Sequence, residues 1–215
     1  SPSPSSINDS WMPPLSSTSS GISANPSNYI SPTSAAHVRH MLGGKLEHLL
    51  DGGPCTRGVE STILDVSDPR RARLLRPGPI KADEIEPVLG RTIETPDLNR
   101  ERGSPLTSPG QLPTHYAPRT PLFLESTPAA FAGAAVARVH FTKTPGPTDS
   151  GDATSHFHLS EAGDPRVCEA NLYALLQQLD CGDFRAIVVD AIPAGDSWSA
   201  LRDRLRRAAS ARIAP

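Results

Sequence analysis

Cysteine is sparse in this chain. Its three copies, Cys55, Cys168 and Cys181, are odd in number, far apart and lack the Cys-x-x-Cys spacing that grips zinc. A disulfide-built scaffold and a zinc knuckle are therefore excluded, and the residues read as reduced thiols of a cytoplasmic protein. An excess of one charge is missing as well, because 21 Lys and Arg stand against 23 Asp and Glu, a net of -2. That balance lacks the positive field of a dedicated nucleic-acid binder, so a small-molecule partner fits better and direct nucleic-acid binding is not expected. No apolar run approaches the roughly 20 residues that cross a bilayer, and the first residues show neither a basic nor an apolar leader region, so no membrane partner is expected. Internal repeats are absent. Residues 1–21 carry no Lys or Arg, and 12 of the first 31 residues are Ser. Such a composition buries too little apolar area to offset ordering entropy, so residues 1–21 are expected to be disordered.

Proline and glycine are plentiful, 23 and 16 of 215 residues, with a hydrophobic fraction of 37%. Much of the chain must lie in turns and connections, and two modest α/β units are expected, at 22–92 and 120–215, with a connector at 93–119. In the first unit Thr33 is placed to cap a helix with Val38, Met41 and Leu42 at helical spacing, stopped by Gly43-Gly44. The alternation in VESTILDV predicts a strand with Glu60, Thr62 and Leu64 on one face and Ser61, Ile63 and Asp65 on the other. A strand over 72–75 leads into Arg76-Pro77-Gly78, and a helix over 82–89 is expected to bury Ile85, Val88 and Leu89 before Gly90. Residues 91–119, with five prolines and no periodicity, read as extended.

Beyond the connector, PLFLES and AAVARVHF read as strands, and Asp164-Pro165 opens a helix to about Leu179 whose stripe is Leu172, Leu175, Leu176 and Leu179. FRAIVVDAI is apolar enough for a buried parallel strand, and SWSALRDRLRRAA supplies a last helix. This alternation predicts a small Rossmann-like α/β layer. The RDRLRRAA run reads as a solvated helix face, with weak nucleic-acid contact as the lesser alternative. His37 with His40, and His156 with His158, have no carboxylate or cysteine at ligand spacing, so no metal site is expected there.

Four stretches carry chemistry. SANPSNYISPT at 23–33 is either an ordinary turn or, ahead of a helix, a set of hydroxyls and amides suited to an anion. DGGPCTRGVESTILD at 51–65 is either a glycine-rich hairpin or an anion-binding nest leading into a strand. In LLRPGPI at 74–80, Arg76 is either a surface arginine or a phosphate-binding fork. SPGQLPTHYAP at 108–118 is either an aromatic anchor or a lid, and both readings bury Tyr116.

In this order the four stretches resemble the YrdC-type threonylcarbamoyl-AMP synthases, and the last resembles only the long, two-domain members. The resemblance implies a partial YrdC-like α/β domain followed by a Rossmann-like one. It implies an enzyme that joins L-threonine, bicarbonate and ATP into threonylcarbamoyl-AMP and pyrophosphate for a tRNA modification, with Mg2+ expected beside ATP and tRNA-modification proteins as partners. It places Ser23, Asn25, Ser31, Arg76 and Tyr116 at ATP, Ser61 at threonine and His115 in the lid, with Glu60 a less certain member. It also implies an upstream portion with a KxR-type signature. The Ser-rich residues 1–21 do not supply one, so an N-terminal truncation is expected, with phosphate charge under-compensated. Two alternatives stay open: a non-catalytic nucleotide- or RNA-binding module, and a relative that uses carbamoyl-phosphate, against which the HYAP connector speaks.

Overall fold

The computed structural model describes residues 30–95, 116–143 and 153–209. Ser23, Asn25, His115 and most of the connector lie outside them. The first unit holds α1 (Ala35–Leu42), β1 (Ile63–Asp65), β2 (Ala72–Arg76), α2 (Ala82–Leu89) and β3 (Ile93–Glu94). Its sheet runs β1-β2-β3, antiparallel and then parallel. The second unit holds β4 (Leu122–Leu124), β5 (Val136–His140), β6 (Thr154–His158), α3 (Pro165–Asp180), β7 (Ala186–Val189) and α4 (Ser199–Ala208). Its four strands pair in parallel in the order β4-β7-β5-β6, the Rossmann-like layer that the alternation predicts.

The second unit forms for the reasons legible in its sequence. Asp164 caps α3 by accepting from the amides of Arg166 and Val167, Pro165 occupies the first turn, and the four stripe leucines are buried. All four residues of β7 are buried, as a central parallel strand requires. One face of the sheet contributes Leu122, Ala137, Val139, Ile187 and Val189 to a core with α3 and with Leu201 and Leu205 of α4. On the other face Val136, Ala186 and Val188 pack with Phe123 and Phe131.

The first unit departs from expectation in four places. Ser34, not Thr33, caps α1, accepting from the His37 amide at 3.3 Å, while Thr33 is buried and its carbonyl accepts from the Cys55 amide. The VESTILDV strand shortens to Ile63–Asp65, and its register breaks between Ile63 and Leu64. The cause is a close crossing: a Cβ on Gly78 would fall 2.3 Å from the Thr62 nitrogen, so the Pro77-Gly78 turn occupies the space a longer ladder would need. In α2, Ile85 and Leu89 pack on the small core of Ala72, Leu74 and Ile93, but Val88 is 85% exposed, because only one face of so short a helix meets the sheet. Residues 93–94, read as connector, add a parallel strand to β2.

The two units share one core. Ile30, Val59 and Tyr116 belong to the same buried cluster as α3 and α4. Gly58 makes that approach possible: at φ 65° its backbone passes so close to α3 that a Cβ would lie 2.4 Å from the carbonyl oxygens of Glu169 and Ala170. Gly58→Ala is expected to lower stability by about 2–4 kcal/mol through clash and strain together. Gly53→Ala, at φ 84° in open space, is expected to cost about 1 kcal/mol through strain alone. Urea unfolding of the two variants checks the difference.

Candidate functional site

Residues from all four motif segments meet at the seam between the units. Ser61 lies just before β1 and Arg76 ends β2, and the antiparallel register that pairs Ile63 with Arg76 sets them side by side. Arg76 donates from Nε to the Ser61 carbonyl at 3.1 Å and from Nη2 to Ser61 Oγ at 3.3 Å. Thr62 turns away, its hydroxyl donating to the Ile80 carbonyl at 2.7 Å. Ser61 is exposed and Arg76 partly so, leaving a hydroxyl and a guanidinium open to a ligand on one wall. A concavity of about 100 Å³ lies behind the Pro77-Gly78 turn, between α2 and the start of α4, and neither Ser61 nor Arg76 lines it.

Ser31 reaches the same wall through Glu60. Its hydroxyl donates to Glu60 Oε1 at 2.5 Å, and its carbonyl accepts from Gln177 of α3 at 2.9 Å. The other carboxylate oxygen of Glu60 accepts from Tyr173 Oη at 3.1 Å and from Arg204 Nε at 2.8 Å. Burial pushes the Glu60 carboxyl up, but the Ser31 hydroxyl and the Arg204 guanidinium together outweigh it and hold the group below its ordinary value. Tyr116 is 3% exposed, its ring 5.5 Å from that of Tyr173 and 5.6 Å from the Arg204 guanidinium carbon. Its φ of 65° is left-handed, a strain of about 1–3 kcal/mol that surrounding contacts must hold in place. Burial, and next the Glu60 charge, raise its phenol above the usual range.

Ser31 and Tyr116 are thus joined through Glu60 and Arg204, and the Ser61–Arg76 pair sits one residue from the Glu60 and Pro77 groups that Arg204 binds. Sequence reasoning ranked Glu60 low and missed Arg204, Tyr173 and Gln177. The solvated reading of RDRLRRAA is overturned: Arg204 is 0% and Asp203 4% exposed, because the two neutralise each other and Arg204 also meets Glu60. A signal did exist for α3. Glu169, Tyr173 and Gln177 recur every fourth residue beside the leucine stripe, a second face that meets the first unit. Lys81 bonds to Glu169 across the seam and donates to the Gly78 carbonyl at 3.1 Å.

The structure so far defines a two-unit α/β protein in which a small mixed sheet is clamped against a parallel-sheet unit, with hydroxyls and a guanidinium on the clamped wall. Residues 80–210, over half of the chain, match the C-terminal domain of threonylcarbamoyl-AMP synthase, and residues 9–78 match the Sua5/YciO/YrdC domain, described as telomere recombination. The chain belongs to the threonylcarbamoyl-AMP synthase family. It is 33% identical over 200 residues to threonylcarbamoyl-AMP synthase of Bacillus subtilis, covering 89% of this chain and 57% of that protein. It is 30% identical over 207 residues to the enzyme of that name from Pyrococcus abyssi, covering 93% and 59%. The crystal structure of P. abyssi Sua5 complexed with L-threonine superposes with a TM-score of 0.67 at 26% identity, over 85% of this chain and 56% of that one. The chain therefore spans somewhat more than half the length of these relatives.

Because the Glu60 carboxyl is held below the ordinary glutamate value of 4.5, the stability it contributes is complete above that pH and lost as pH falls through its lowered native value. Glu60→Gln removes this dependence. Urea midpoints measured from pH 7 down to acid should converge for the parent and Glu60→Gln chains at the acid end and separate toward neutrality.

Proposed function

We propose that this chain forms part of a threonylcarbamoyl-AMP synthase and carries the wall that binds L-threonine and ATP. The observation that carries the reading is the pairing of Ser61 with Arg76 at the β1–β2 crossing, in a chain of this family. The reaction joins L-threonine, bicarbonate and ATP. The product requires a C–N bond between the threonine amine and the bicarbonate carbon, with loss of water. It also requires an oxygen of the resulting carbamate to bond to the α-phosphorus of ATP as pyrophosphate departs.

In this reading Ser61 Oγ hydrogen-bonds threonine, and Arg76 turns its fork from Ser61 toward phosphate oxygens, countering charge as pyrophosphate leaves. Ser31 stands at the nucleotide side, with Ser23 and Asn25 assigned there from the motif. Tyr116 backs the nucleotide, and the motif assigns His115 and the rest of the connector to a cover that would keep water from the reacting carbamate. Mg2+ would accompany ATP and offset its phosphate charge; Glu60, the carboxylate beside Ser61, is already committed to Ser31, Tyr173 and Arg204. The product would pass to the proteins that modify tRNA.

Calorimetric titration with L-threonine and with ATP tests the reading. Ser61→Ala should weaken threonine binding about tenfold, and Arg76→Ala should weaken ATP binding about tenfold to a hundredfold, as expected for hydrogen bonds to neutral and charged groups. Arg76→Lys should not rescue, since an ammonium offers no planar fork. Unchanged ATP affinity in Arg76→Ala would remove the arginine from the site. Binding of both ligands without pyrophosphate release in the presence of bicarbonate would instead favour a binding module.

A further inference from the structure

Arg204 lies in the last helix of the second unit, yet most of its acceptors belong to the first. Its guanidinium donates from Nε to Glu60 Oε2 at 2.8 Å, from Nη2 to the Glu60 carbonyl at 3.3 Å and from Nη1 to the Pro77 carbonyl at 3.0 Å. Glu60 immediately precedes Ser61 and Pro77 immediately follows Arg76. Asp203 supplies a counter-charge at 2.7 Å, and Arg207 braces Asp203 at 2.8 Å. The same cation faces the Tyr116 ring.

A guanidinium is a rigid plane, so acceptors bound to its edges are fixed relative to one another as well as to it. Glu60 in turn holds the Ser31 hydroxyl. For stability alone, a well-packed apolar side chain would serve as well as a buried ion pair or better. A charge buried in one unit that grips the backbone beside both Ser61 and Arg76 in the other fixes geometry instead.

We propose that Arg204 is a positioning residue, which sets the spacing of Ser61, Arg76, Ser31 and Tyr116 from the second unit and so makes ligand binding in the first depend on docking of α4. The proposal rests on the assignment of that wall to threonine and ATP. Its test separates the two by pairing amide hydrogen exchange with calorimetry on Arg204→Met, Arg204→Lys and Glu60→Gln versions of the whole chain.

In Arg204→Met, exchange from Val59 to Ile63 and at Arg76 and Gly78 should quicken at least about tenfold while α3 and β7 keep their protection, and threonine and ATP should bind at least about tenfold more weakly. Arg204→Lys should recover protection near Glu60 but not at Gly78, having lost the fork to Pro77. Unchanged exchange at these amides in Arg204→Met overturns the proposal whatever the ligands do. Equal quickening across α3 and β7 also overturns it, marking a residue that only stabilises. Should Arg204→Met fail to fold, Glu60→Gln keeps the shape and removes the charge, and unchanged exchange at Val59 to Ile63 in that variant is equally fatal. A parent chain that binds neither threonine nor ATP removes the ligand assignment, and the exchange pattern still decides whether Arg204 holds the wall.

Discussion

A guanidinium with no access to water must have its charge met where it lies. Arg204 is such a group, and the rest of the seam is arranged around it. Burial alone would disfavour its charged form, but nearby Tyr173, Asp203 and Glu60 outweigh that and keep it charged. Breaking a pair of this kind by removing one partner typically costs about 3–5 kcal/mol. Glu60 therefore ties the segment ahead of β1 to α4, and the first unit cannot separate from the second without exposing an unmatched charge on each side.

The apolar and steric parts of the seam follow the same constraint. Gly58 gives up its side chain so that Val59 enters the core of the second unit and the 59–62 backbone comes within reach of α3 and α4. Gly78 does the same for the turn carrying the Pro77 carbonyl, which could not otherwise pass over Thr62. α3 then presents two faces. Its leucines support the sheet, and Glu169, Tyr173 and Gln177 hold Lys81, Glu60 and Ser31. Each of these contacts joins a residue beside a candidate ligand group to a rigid element of the other unit, which is how a wall built mostly from turns can be kept in one shape.

Local physics made much of the second unit legible. The Asp-Pro start of α3, its leucine stripe, the unbroken apolar run of β7 and the strands at 122–124 and 136–140 all act within a few residues, and the structure places them where the pattern does. In the first unit the same reasoning found β2 and α2 but overextended β1 and misplaced the cap of α1, because segments distant in sequence fill the space there. The resemblance carried by the four motifs supplied the family, and with it the candidate residues Ser31, Ser61, Arg76 and Tyr116.

The amino-acid order by itself determined the elements whose causes are local, β2, α2, β4, β5, α3 and β7 among them, and which residues could bear hydroxyl and guanidinium chemistry. Only the tertiary structure decided that Glu60 stands at the centre of the wall and that Arg204 is buried. Periodicity shows which face of a helix is apolar, but it does not show what a charged residue on the other face will meet. The acceptor of Arg204 lies 144 positions earlier in the chain. A solvated arginine and a buried one have the same local pattern, and only the docking of a distant carboxylate tells them apart.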